Sequence, residues 1–218
     1  MKEIDYGKYY TYSELREVLN IFAKEYPETM RLSSLATTEG GREIFLVEIT
    51  DNVKSEDTIK KPAYYIQASL HSSEPAGANV CFHFMETLLS ENKDILKDVV
   101  FYIVPRVNPD GVESNLVYNG HTRSRNGKNE KIKENYLEMK DMDGDGLILT
   151  MRVKNPLGDY KEIAPGVMVS REPGETEGEF YDLYPEGEVV NYNGTPLQDG
   201  HRSYDYNRCF PANWAPTF

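Results

Sequence analysis

Residues 63–90 read AYYIQASLHSSEPAGANVCFHFMETLLS, and the rhythm of the chain changes halfway along them. Ala63 to Leu70 is a short apolar run with two tyrosines, which predicts a strand. From Pro75 to Ser90 the apolar residues Val80, Phe84 and Leu88 recur on one side of a predicted helix, and Pro75 lies near its first turn, where a missing N–H costs nothing. Residues 99–107, VVFYIVPRV, predict a second strand. Strand, helix and strand within about 45 residues form a βαβ unit, the building block of a sheet with helices on its faces.

Upstream, residues 11–27 (TYSELREVLNIFAKEYP) place Leu15, Val18, Leu19, Phe22 and Ala23 on one helical face. Thr11 and Glu14 have the spacing of a capping box, and Pro27 stops the helix. Leu32 to Ala36 and Ile44 to Thr50 predict two strands joined through Glu39-Gly40-Gly41-Arg42, a hairpin turn in which glycine accepts positive φ. A hairpin leading into a βαβ unit makes a mixed sheet, so the expected fold class is α/β, a sandwich of helices around that sheet.

Downstream, Val107-Asn108-Pro109-Asp110-Gly111 reads as a turn, and after Gly111 the periodicity fades. Residues 126–200 are polar and turn-rich, yet carry too many Ile, Val, Tyr and Phe for disorder. They are expected to be an ordered, loop-rich insertion within a single domain spanning residues 1–218.

The chain has 218 residues, 39% hydrophobic and 28% charged, with a net charge of −12. Such a surface repels a phosphate backbone, which argues against nucleic-acid binding. No stretch reaches the roughly 20 apolar residues of a membrane span, and Met1 to Tyr12 lacks the pattern of a signal peptide. A cytoplasmic protein, or a secreted one whose leader has been removed, both fit. Cys81 and Cys209 are expected to be unpaired thiols.

The chemistry begins where the first βαβ strand runs into His71-Ser72-Ser73-Glu74. Strand ends in open α/β sheets border the crevices where ligands bind. An imidazole and a carboxylate three residues apart on a bend can reach one zinc ion at about 2.0–2.2 Å. Taken alone, the pair is weak, because a surface histidine beside a glutamate that complements a helix N-terminus is the commoner origin of so short a motif.

Further segments narrow the reading. The Glu-Gly-Gly-Arg turn, HxxE after a strand, VNPDG at 107–111, an arginine-rich segment at 121–125 (HTRSR) and Asp205-Tyr206-Asn207-Arg208 come in the order that resembles the zinc carboxypeptidase family of carboxypeptidases A and B. The resemblance covers most of the chain. The long insertion, with DMDGDGLILTMR at 141–152, is similar to a bacterial branch of that family. The resemblance implies an α/β/α sandwich around a mixed, mostly parallel sheet. It also implies a zinc-dependent enzyme that removes C-terminal residues from peptides with a free C-terminus.

Carried over by motif, His71 and Glu74 would ligate Zn²⁺ and Asp205 would accept the other ring N–H of His71. Asn207 and Arg208 would bind the terminal carboxylate, a task suited to a planar guanidinium and a directed amide. Arg123, with Arg125 as the alternative, would stabilise the oxyanion.

The family's third zinc ligand is a histidine about 50 residues beyond the Asn-Arg motif, followed by a glutamate general base. Residues after Arg208 contain neither His nor Glu. His83 reads as a core or interface residue, and His121 and His201, at the two ends of the insertion, could approach the metal only by a geometry unlike the family's. The expectation is therefore a domain incomplete at its C-terminal end, inactive on its own, with an open sheet edge that invites self-association. A non-catalytic peptide- or carboxylate-binding module and a deacylase of N-acyl amino acids are the alternative functions. Separately, Asp141, Asp143 and Asp145 alternate before a glycine turn like the first half of a calcium loop, although Arg152 occupies the position of its bidentate glutamate; Ca²⁺ and a plain acidic turn both fit.

Overall fold

Helix α1 (Tyr12–Glu25) begins where the sequence places it, because Thr11 and Glu14 close a reciprocal cap. The Thr11 N–H donates to Glu14 Oε2 at 2.8 Å, and the Thr11 hydroxyl oxygen accepts from the Glu14 N–H. The computed structural model describes residues 4–118, 132–195, 197–199, 205–208 and 210. Contacts divide the chain into two units, one built mainly from residues 1–117 with the C-terminal segment, the other mainly from residues 130–200.

In the first unit, β1 (Met30–Thr37) and β2 (Glu43–Ile49) form the expected antiparallel hairpin. Strand β3 (Ala63–Gln67), helix α2 (Ala76–Ser90) and strand β4 (Val100–Val104) form the βαβ unit, with β3 and β4 parallel. The sheet runs β1-β2-β4-β3. It is mixed, as the sequence predicts. Within these four strands the parallel pairing is confined to β3 with β4, whereas β2 meets β4 antiparallel. Leu15, Leu19 and Phe22 of α1 pack with Phe82 and Met85 of α2 over Val47, Ile49 and Ile103 of the sheet.

Three local readings are corrected. Val80 is 68% exposed, and the buried face of α2 is Ala78, Cys81, Phe82, Met85, Leu88 and Leu89. The residues at 80, 84 and 88 are four apart, and a step of four overshoots a helical turn by about 40°. His83 is accordingly exposed, edge-on to Tyr6 with ring centroids 5.6 Å apart. The VNPDG segment is not a simple reversal: Pro109 opens a third helix, α3 (Pro109–Tyr118). The Gly111 N–H donates to Asn108 Oδ1 at 3.0 Å, the work of an N-cap residue. Small and polar residues line much of α3, so no apolar period announces it.

Strand β3 is hydrogen-bonded to β4 alone among the described strands, and Tyr64 and Tyr65 are 59% and 58% exposed.

The second unit contains β5 (Tyr136–Met139), β6 (Thr150–Lys154), β7 (Tyr160–Ala164), β8 (Val167–Ser170), β9 (Tyr181–Pro185), β10 (Gly187–Val190) and β11 (Gln198–Asp199). They form a three-stranded sheet, β10-β5-β11, and a four-stranded antiparallel sheet, β6-β9-β7-β8. No described helix is long and apolar enough to cross a membrane.

Candidate functional site

The ends of β3 and β4 carry an unusual density of buried polar side chains: Ser69, His71, Ser72 and Asn108. Ser69 takes a left-handed φ of 52°, uncommon for a residue with a Cβ, and this breaks the strand into the bend. The Ser69 hydroxyl donates to the Glu74 carbonyl at 3.1 Å, and the Glu74 N–H donates to the His71 carbonyl at 3.2 Å. The bend is thus a closed loop that holds the His71 and Glu74 side chains together.

His71 is 5% exposed and has a carboxylate at each ring nitrogen. Nδ1 lies 3.0 Å from Glu74 Oε1 and Nε2 lies 3.0 Å from Asp205 Oδ1. A neutral imidazole has one N–H and one lone pair, so it can donate to only one of two flanking carboxylates. The other nitrogen then faces an anionic oxygen, which a proton or a cation between them relieves. A nitrogen and an oxygen 3.0 Å apart are close to the spacing of two ligands that share one ion at about 2.0–2.2 Å. The pair, one buried imidazole and one carboxylate beside the buried polar side chains of Ser69, Ser72 and Asn108, supplies two donors of the types zinc takes.

Asp205 joins the C-terminal segment to the same place. Its Oδ1 also accepts the Asn207 N–H at 2.9 Å, and its carbonyl accepts the Arg208 N–H at 2.8 Å, which winds Tyr206–Arg208 into one turn of 3-10 helix. Asn207 and Arg208 are exposed, and the Arg208 guanidinium donates to the Asn207 carbonyl at 3.2 Å. The structure therefore brings together His71, Glu74, Asp205 and the backbone of Asn207, residues separated by up to 136 positions in sequence. Arg123, Arg125, His121 and His201 lie outside the described residues, as does Cys209. Cys81 is an unpaired, buried thiol.

In the second unit, ligand atoms of Asp141, Asp143 and Asp145 lie within 4.8 Å of one another. Both Asp141 oxygens accept backbone N–H groups, from Gly146 at 2.9 Å and Gly144 at 2.7 Å, and these bonds, that from Gly146 foremost, hold its carboxyl below the usual carboxylate range. Arg152, at the place a calcium loop gives to glutamate, is paired with Glu162 at 2.5 Å. The loop holds its shape with its own hydrogen bonds.

Sequence reasoning missed one set of contacts next to the bend. Asp110 accepts from the Thr38 hydroxyl at 3.0 Å, the Gly40 N–H at 3.1 Å and Arg42 Nη1 at 2.9 Å, tying the start of α3 to the hairpin turn. The only hint was the joint presence of the Glu-Gly-Gly-Arg and Asn-Pro-Asp-Gly turns, which nothing in their spacing connects.

A family model for zinc carboxypeptidases matches residues 15–147. The span includes His71, Glu74 and the Asn108–Gly111 segment and ends before Asp205. Carboxypeptidase D of Anas platyrhynchos is 28% identical over 129 residues, covering 56% of this chain and 9% of that protein. Carboxypeptidase B of Astacus astacus is 26% identical over 111 residues, covering 50% of this chain and 35% of that protein. The chain thus spans about a third or less of the length of these relatives. Among solved structures, carboxypeptidase A from Helicoverpa armigera superposes with a TM-score of 0.54 at 19% identity, covering 65% of this chain and 37% of that one. Bovine thrombin-activatable fibrinolysis inhibitor, in complex with a tick carboxypeptidase inhibitor, superposes with a TM-score of 0.50 at 21% identity, covering 65% and 47%. These likenesses establish the fold.

Proposed function

The chain belongs to the zinc carboxypeptidase family, and from that premise we propose that its first unit carries the zinc- and carboxylate-binding part of a metallocarboxypeptidase site acting on peptide C-termini. One observation carries the reading: a buried imidazole held between two carboxylates, at 3.0 Å on each side, at the end of a sheet strand.

In this reading His71 and Glu74 are zinc ligands. When bound, zinc supplies Lewis acidity, which polarises a carbonyl and makes water acidic near neutral pH. Asp205 accepts a hydrogen bond from the Nε2–H, which fixes the tautomer and turns the Nδ1 lone pair toward Glu74. Asn207 and Arg208 grip the substrate's terminal carboxylate, so that the chain end is what the site measures. Arg123, or Arg125 in its place, steadies the oxyanion of the attacked carbonyl. Turnover needs a third ligand and a proton acceptor beyond this set, so residues 1–218 are expected to bind a peptide without cleaving it. The insertion reading of residues 126–200 belongs to the same proposal. The calcium reading of Asp141, Asp143 and Asp145 rests on their shared approach alone, and a calcium titration that leaves the unfolding of residues 130–200 unmoved removes it.

The test compares a peptide with a free C-terminus and the same peptide amidated, both titrated into the zinc-loaded chain. A hydrogen-bonded charge is worth about 1.5–3 kcal/mol, so the free acid should bind roughly 10- to 100-fold more tightly, and Arg208→Met should erase most of that difference. Equal binding of acid and amide would remove the carboxypeptidase reading of Asn207 and Arg208.

A further inference from the structure

We propose that Asp110, gripped by Gly40 and Arg42, is a positioning residue for the His71–Glu74 pair; the inference rests on the reading of that pair as a metal site. Asp110 takes no part in the pair itself. It stands on the opposite side of a short bracket, residues 107–111, each end of which is fastened to something different.

One side of the bracket is fastened to the bend. The Val107 N–H donates to the Ala68 carbonyl at 3.0 Å and the Asn108 N–H to the Ser69 carbonyl at 3.1 Å. Gly111 fits against Ser72, the neighbour of His71, so closely that a Cβ at 111 would lie 2.6 Å from the Ser72 Cβ. Such contact leaves the backbone of α3 no room to move without moving the bend.

The other side is fastened to the hairpin through Asp110, whose two oxygens take three donors. The turn is shaped for this. Gly41 takes a φ of 76°, and the Arg42 N–H donates to the Thr38 hydroxyl at 3.1 Å, which aims that hydroxyl at Asp110. A Cβ on Gly40 would lie 2.5 Å from Asp110 Oδ1, so only a glycine lets the carboxylate reach the Gly40 N–H. A half-buried ion pair of this kind, with three directed bonds, fixes a position more firmly than an exposed pair does.

The bracket explains why two turn motifs lying about 70 residues apart belong together: one supplies a carboxylate and the other a socket for it. The bend inherits the stiffness of the hairpin, and the 3.0 Å separations around His71 depend on it. A residue two contacts away from the imidazole would then tune metal affinity without touching the metal.

The experiment uses the full chain with Asp110→Asn, which removes the charge, and Gly40→Ala, which displaces the carboxylate while leaving it intact. Arg42→Lys serves as the conservative variant. Arg31→Met is the structural control, because Arg31 pairs with Glu48 at 2.6 Å elsewhere on the same hairpin. The first readout is the ring nitrogen resonances of His71 in the metal-free chain. Both Asp110→Asn and Gly40→Ala should displace them, Arg42→Lys should do so less, and Arg31→Met should leave them in place. The second is zinc affinity by chelator competition, expected to fall about tenfold in the two main variants and to hold in the control. Folded variants whose His71 resonances coincide with the wild type would overturn the proposal, even if their thermal stability drops. Should the wild-type chain take up no zinc, the zinc reading of His71 fails by itself, and the resonances alone decide whether Asp110 positions the bend.

Discussion

The two units are held together by different means. The first buries large side chains completely, among them Phe22, Phe82, Leu15, Leu19, Ile49 and Met85. In the second, the buried apolar residues among those described are Tyr136, Leu137, Ile148 and Phe180. Its strands are short and mostly half-exposed, and its side chains are tied by pairs such as Lys161 with Glu175 at 2.7 Å and Lys154 with Glu179. Residues 130–200 also carry 16 acidic against 7 basic side chains, so most of the net charge of −12 resides there. Burial of apolar area is the larger stabilising term, whereas exposed ion pairs contribute about 0–1 kcal/mol each. The candidate zinc site is built on the unit with the rigid core, as a site needing fixed separations should be.

Replacing a core aromatic in each unit should expose the difference between them most strongly. Phe82→Ala removes a ring packed edge-on against Tyr10 at 5.4 Å and should cost about 3–5 kcal/mol in urea unfolding. Phe180→Ala removes a ring stacked under the Arg171 guanidinium at 4.0 Å. It should cost less and confine its effect, in amide exchange, to residues 130–200. Equal costs, or exchange that rises throughout the chain in both variants, would erase the distinction.

A smaller effect belongs to the cap of α1. Thr11→Ala should cost about 1 kcal/mol. Its partner Glu14 is held at about 2 by the Lys8 ammonium and by the Thr11 N–H. A carboxyl depressed on folding stabilises fully above its unfolded value, near 4.5, and loses that contribution as pH falls toward 2. Acid titration of Glu14→Gln should therefore converge on the wild type in that window and diverge above it. Divergence growing toward low pH would contradict the assignment.

Smallest in energy is the behaviour of Cys81. Burial pushes its thiol up to about 11, so alkylation at pH 8 should follow unfolding of the first unit and not precede it. Labelling of the native chain at the rate of a free thiol would show that the α2 face opens on its own.

What the sequence made legible follows the same division. Elements whose inward residues are large and apolar, such as α1 with Leu15, Leu19 and Phe22, announce themselves by period. Helix α3 does not, because Gly111 and Ser114 face inward through small size and close approach. The His71–Glu74 pair was readable because three residues of spacing are local. Asp205 was named through family resemblance alone, since a contact 134 residues away leaves no local trace. The contact of Asp110 with its socket at Gly40, 70 residues away, leaves no local trace either, and the sequence did not reveal it.

Zinc uptake by the His71–Glu74 pair is the property from which the other roles at the site follow. Calorimetric titration of zinc into the metal-free chain at neutral pH should show one equivalent bound in the first unit, abolished by His71→Ala and weakened about 10- to 100-fold by Asp205→Asn. No uptake, or uptake that His71→Ala leaves unchanged, would contradict it.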